Sequence, residues 1–202
     1  MRRLRLLDSS GASAAEFAMV LPLLLLFLLG IIDAGRFMWE YNRAEKATQM
    51  GVRYAIVADM VPATLATQNF AIIGGIPGGD PVPDCTSGTP PGCFDSTTCN
   101  ITSCTNGWGH TPAAFTGIVD RMRLMYEPIN NANVTVEYTN VGLGYAGDPH
   151  GPDVAPLVTV RLTGLTFKPL SGLLFGVNVP MPDFRASLTG EDLDCDSPCV
   201  SN

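Results

Sequence analysis

From Ala12 to Ile32 the chain reads ASAAEFAMVLPLLLLFLLGII, an apolar run whose single ionisable residue is Glu16. Coiled into a helix, these 21 residues reach about 31 Å, which matches a bilayer hydrocarbon core of about 30 Å. A run of this kind must lie in lipid or inside a bundle, so it limits the remaining chain to one modest folded part. Arg2, Arg3 and Arg5 precede it. Cationic flanks stay on the cytoplasmic side, so the expectation is a single-pass protein of the inner (cytoplasmic) membrane. Its N-terminus faces the cytoplasm and its C-terminal head lies outside, in the periplasm or at the cell surface.

A cleavable secretory signal fits poorly. Its apolar region is shorter, and Asp33, Ala34, Gly35 and Arg36 do not form the small-residue site such a signal needs. A lipoprotein signal requires a cysteine nearby, and the first one is Cys85. A plain transmembrane anchor explains the run but not Glu16, whose charge is costly in lipid unless it finds a partner. Alternatively, a carboxylate near a helix N-terminus simply complements the dipole.

Gly11 supplies a further reading. A cut after it leaves Ala12 as the new N-terminus and Glu16 as the fifth mature residue, followed by Phe17. This pattern resembles the cleavage site of type IV prepilins, and the Glu-Phe pair resembles the tight-adherence (Flp) branch. From Gly11 to roughly Ala58 the chain is similar to the TadE-like family, whose members are minor pilins or pseudopilins of those pili. The resemblance implies processing at Gly11, Ala12, Glu16 and Phe17, with Glu16 serving assembly. The implied partners are a prepilin peptidase, the major pilin and other minor pilins, the inner-membrane assembly platform and membrane lipid. Loss of Arg2, Arg3, Arg5 and Asp8 with the leader would take the formal charge from −7 to −9. The rival is a membrane-tethered periplasmic binding or envelope protein that is never processed and never assembles.

No proline occurs between Pro22 and Pro62, so the helix can continue past the membrane. Phe37, Tyr41, Ala44, Thr48, Gly51 and Ala55 share one face, while Arg43, Lys46 and Arg53 lie opposite, an amphipathic pattern. Near Gly51 a neighbour can approach the backbone closely, and ordinary contact with the protein's own head is favoured over a seam between subunits.

Many of the 21 glycines and 16 prolines fall between Gly74 and Gly109, where periodicity vanishes and regular elements should break. The six cysteines, Cys85, Cys93, Cys99, Cys104, Cys195 and Cys199, all follow the apolar run. An even set on the translocated side favours disulfides over zinc, whose sites usually carry paired Cys-x-x-Cys spacing. Cys195 with Cys199 is the expected local pair, and the other four are expected to pair among themselves.

Thr111 and Pro112 suit a helix start, with Phe115, Ile118, Val119, Met122, Met125 and Tyr126 forming an apolar face up to Pro128. Residues 133–139 and 157–162 alternate as strands, with weaker strand signals at 165–167 and 183–188. The expectation is an α+β fold: a long N-terminal helix, membrane-spanning then amphipathic, followed by a head of one helix and a small antiparallel sheet. Residues 1–11 read as leader, 12–32 as transmembrane helix and 33–61 as its amphipathic continuation. Residues 62–111 read as a disulfide-pinned loop region and 112–202 as the head.

No enzymatic or cofactor motif emerges. Gly142, Gly144 and Gly147 match G-x-G-x-x-G literally, but Asp148, Pro149 and Pro152 follow where a phosphate-binding helix would have to start. Asp192, Asp194 and Asp196 alternate as in some calcium loops, without the glycine and bidentate glutamate of an EF-hand. A solvated acidic tail is the better reading, with no metal assigned. His110 and His150 have no nucleophile or base motif beside them. A net charge of −7 without an extended basic footprint argues against nucleic acid as a partner.

Overall fold

The computed structural model describes residues 9–85, 92–149, 151–172 and 176–190. Helix α1, Ser9–Ala55, is followed by two short helices, α2 (Ala63–Thr67) and α3 (Phe70–Ile73), then by strand β1 (Ser96–Cys99) and helix α4 (Pro112–Arg123). Strands β2 (Val134–Thr139), β3 (Leu157–Leu162), β4 (Thr166–Phe167), β5 (Val179–Pro180) and β6 (Phe184–Thr189) complete the order. This is the expected α+β arrangement of a long apolar helix, a further helix and a small antiparallel sheet. The chain divides into two compact units, Met1–Glu40 with Thr166–Pro180, and Tyr41–Leu165 with Met181–Asn202.

In the first unit, α1 runs unbroken through Pro22. Proline has no N–H, so the Ala18 carbonyl loses its usual partner there. The strands β4 and β5 form an antiparallel ribbon, with Thr166 opposite Pro180 and Phe167 opposite Val179.

The second unit is built on an antiparallel sheet in the order β1-β2-β3-β6. Alternation decides its faces: Val134, Val136 and Tyr138 of β2 are buried, as are Val158, Val160 and Leu162 of β3. Each such side chain contributes about 1.5–3 kcal/mol of hydrophobic stabilisation when removed from water. From α4, Phe115, Ile118, Val119 and Met122 are buried, and from α1, Ala44, Ala47, Thr48, Val52 and Ala55. Gly51 is where these elements meet. A Cβ there would lie 2.7 Å from Met122 Cγ and 3.4 Å from Val160 Cγ1, so any larger residue would require the Met122 side chain to shift. The expected close neighbour at Gly51 is therefore the protein's own core.

Arg43 lies on the expected polar face but is not simply solvated. Its Nε donates to the Met125 carbonyl at 2.8 Å, and its guanidinium lies over the Tyr126 ring. Helix α4 stops at Arg123 rather than continuing to Pro128, and Thr111 precedes it without a side-chain capping bond. The Thr111 N–H instead donates to the Val61 carbonyl at 2.8 Å.

The stretch read as an irregular loop is partly regular. It holds α2, α3 and β1, and β1 pairs along its whole length with β2. The reason is local. Thr97 and Cys99 point inward while Ser96 and Thr98 do not, an alternation made with small polar residues that a search for apolar period-two patterns passes over. Thr97 Oγ1 donates to the Thr105 carbonyl at 2.8 Å, satisfying its buried hydroxyl. Disulfides join Cys85 to Cys93 and Cys99 to Cys104. Phe70, Phe94 and Trp108 form a buried aromatic cluster beside them, with Phe94 and Trp108 edge to face at 5.5 Å. The paired cysteines are as expected; the aromatic cluster was not. Cys195 and Cys199 lie outside the described residues.

Candidate functional site

The first candidate is the exposed part of α1. The Gly11–Ala12 bond lies in its first turns, two residues past Ser9. Among the described residues nothing lies within 4 Å of a Cβ built on Gly11, so the position is open. Ala12 and Glu16 are four positions apart on this helix, about 6 Å along the axis, or roughly one turn. Glu16 is exposed, and among the described residues it makes no ion pair. Phe17, Met19 and Leu23 are 64%, 81% and 72% exposed, and the other large apolar residues through Ile32 except the half-buried Leu29 are likewise exposed. The segment is long and apolar enough to cross a membrane. A contiguous apolar surface of this size needs lipid or other helices around it.

A second arrangement begins where this surface ends, and the sequence reading did not single it out. Asp33 is buried, and its carboxylate accepts three bonds from the segment after β4. The Leu170 N–H donates to Oδ1 at 2.6 Å, the Ser171 N–H to Oδ2 at 2.9 Å and the Ser171 hydroxyl to Oδ2 at 2.7 Å. Arg36 Nη1 stands 3.6 Å from Oδ1, and the same guanidinium covers the Phe167 ring at 5.4 Å. Phe37 meets Phe167 edge to face, also at 5.4 Å. Phe167 thus sits between a cation and a ring, and Asp33 holds the backbone beyond it. The cleft alongside, about 520 Å³, is lined mainly by Gly30, Ala34, Phe37, Phe167, Val177 and Val179. A lone acid directly after an apolar run, with an arginine at i+3, was the available signal.

Burial alone raises the Asp33 pKa. The Ser171 hydroxyl, the Ser171 and Leu170 N–H groups and the Arg36 charge outweigh it and hold the carboxyl below its usual range. A depressed folded-state value means that the clamp's contribution is complete above the ordinary carboxylate pKa. It is lost as pH falls through the lower folded value. Exchange of the Leu170 and Ser171 amides, corrected for intrinsic rate, is therefore expected to stay slow from neutrality to about pH 4 and to accelerate below it. In Asp33→Asn it should be fast throughout. Protection that survives Asp33→Asn would contradict the clamp.

The remaining candidates separate. The Gly142–Gly147 loop has positive φ at Gly142, Gly144 and Gly147 and leads into irregular chain at Asp148, not a helix. A Cβ on Gly144 would stand 2.6 Å from the Asp153 carbonyl, so the glycine serves a close backbone crossing. His110 Nε2 is 2.9 Å from the Asn100 carbonyl oxygen and faces no nucleophile. Among the described residues no group of three or more His, Cys, Asp or Glu side chains could hold a metal ion. His150 and the acidic tail lie outside the described residues, as do residues 1–8 of the stretch read as a leader.

Comparison with known families places a match on the same helix. Residues 11–53 match the family model described as TadE-like protein. The resemblance read from Gly11 to roughly Ala58 is thus found independently over nearly the same stretch. No curated protein and no solved structure matches the chain.

Proposed function

We propose that the chain is a minor pilin or pseudopilin of a tight-adherence type pilus, with a structural rather than an enzymatic role. A prepilin peptidase removes residues 1–11, and the freed helix enters a bundle with the major pilin and other minor pilins at the inner-membrane assembly platform. Glu16 there accepts the N-terminal amine of a neighbouring subunit, which neutralises a charge that lipid alone would penalise. The head lies on the far side of the membrane, where disulfides persist.

One observation carries this reading. The stretch matching the TadE-like model includes an uncovered apolar helix whose only ionisable group through Ile32, Glu16, makes no ion pair among the described residues. N-terminal sequencing of protein extracted from membranes of a host with an active prepilin peptidase is expected to begin at Ala12. A chain still starting at Met1 would favour the unprocessed, membrane-tethered alternative.

A further inference from the structure

The outward face of the four-stranded sheet carries an arrangement separate from the helix to which the assembly role is assigned. Arg161 on β3 and Arg185 on β6 are directly opposite each other in register. Both are exposed, and among the described residues no carboxylate lies within ion-pair distance of either. Like charges placed opposite each other across strands destabilise a sheet. In a chain of net charge −7 with acids to spare, two unpaired guanidiniums side by side call for a reason.

Edge protection accounts for half of it. A charge on the edge strand β6 discourages pairing with another chain, so Arg185 alone would be unremarkable. Arg161 sits on an interior strand, where that reason does not apply. The next row of the same face is polar: Glu137 stands opposite Thr159, and Thr159 opposite Ser187. The Thr159 and Ser187 hydroxyls are hydrogen-bonded at 2.8 Å. With Thr139 these residues line a shallow concavity of about 370 Å³.

We propose that this face binds an acidic saccharide, a sugar polymer bearing carboxylate or sulfate groups. The arginine pair supplies planar forks for the oxyanion. The hydroxyl row and the Glu137 carboxylate supply acceptors and donors for sugar hydroxyls. Other polyanions fit less well. Nucleic acid would need stacking platforms, and no aromatic side chain lines the concavity. An anionic membrane surface would be met by apolar side chains interleaved with the cations, and none lines the concavity either. A free phosphate would leave the hydroxyl row without a role.

The test uses the full chain in detergent micelles, titrated calorimetrically with oligogalacturonate and with its methyl ester. The acid form is expected to bind wild type, weakening as salt rises, and to lose at least about tenfold in affinity in Arg161→Gln and in Arg185→Gln. The methyl ester should bind none of the three. Both substitutions relieve cross-strand repulsion, so the variants should melt no lower than wild type, which separates lost binding from lost fold. Four outcomes would overturn the proposal. One is no binding of the acid form, and another is equal binding by the Arg161→Gln, Arg185→Gln double variant. A third is arginine-dependent binding to phosphatidylglycerol nanodiscs in its place. The last is binding that emerges only when Glu191, Asp192, Asp194 and Asp196 are changed to their amides. That result would assign the arginines to the chain's own acidic segment.

Discussion

Asp153→Ala is expected to lower the stability of the unit formed by Tyr41–Leu165 and Met181–Asn202 by about 3 kcal/mol. Asp153 is 3% exposed, and its carboxylate is the acceptor that ties its own loop to a distant segment. Oδ2 takes the Phe70 N–H at 2.6 Å at the start of α3, and Oδ1 takes the Asp148 N–H at 3.1 Å. Alanine leaves the buried Phe70 N–H without this acceptor, at about 1–3 kcal/mol, and takes the part-buried Asp148 N–H from its own. It also releases the loop in which Gly144 crosses Asp153 and the Ala155 N–H donates to the Leu143 carbonyl at 3.0 Å. A domain stable by about 5–15 kcal/mol would surrender a large share of that margin. Asp153→Asn keeps one acceptor and should lose less. Thermal unfolding followed by near-ultraviolet circular dichroism measures both variants, and an Asp153→Ala midpoint equal to that of wild type would contradict this account.

The contrast between this carboxylate and the features legible in sequence is physical. The apolar run, the α4 face and the strands β2 and β3 were readable because burial there repeats at the helix or strand period, so neighbours in sequence report on one another. Asp153 and Asp33 each act through donors far along the chain: Phe70 and Leu170, respectively. No local period encodes that. Strand β1 escaped for a different reason, since its inward residues are Thr97 and Cys99 rather than aliphatic ones. The cysteines announced pinning without saying how much else was folded. It was Phe70, Phe94 and Trp108, spread over almost forty residues, that gave the region a core of its own. On the candidate site, the proposed processing pattern at Gly11, Ala12, Glu16 and Phe17 is wholly local and so can be written down from sequence alone. The opposition of Arg161 and Arg185 depends on sheet register, which alternation alone does not set.

Glu16→Ala is expected to have the largest effect on assembly. Removing the carboxylate takes away an insertion cost of up to ~3 kcal/mol, so membrane abundance should hold or rise. Leader removal should continue, since Gly11 and Ala12 are untouched. Under the proposed function, what disappears is the acceptor for a neighbouring subunit's amine. Breaking a buried ion pair by removing one partner costs about 3 kcal/mol or more, above a hundredfold in association. A plain anchor makes the opposite forecast, because a charge without a partner is only a burden in lipid and its loss leaves no functional defect. The measurement is crosslinking in cells from a photoreactive residue at Leu23, an exposed position on the same helix, in chains whose leader has been removed. Wild type is expected to give adducts with other pilins, and Glu16→Ala, equally abundant and equally processed, to lose them. Undiminished pilin adducts from the processed Glu16→Ala chain would contradict the assembly role assigned to this helix.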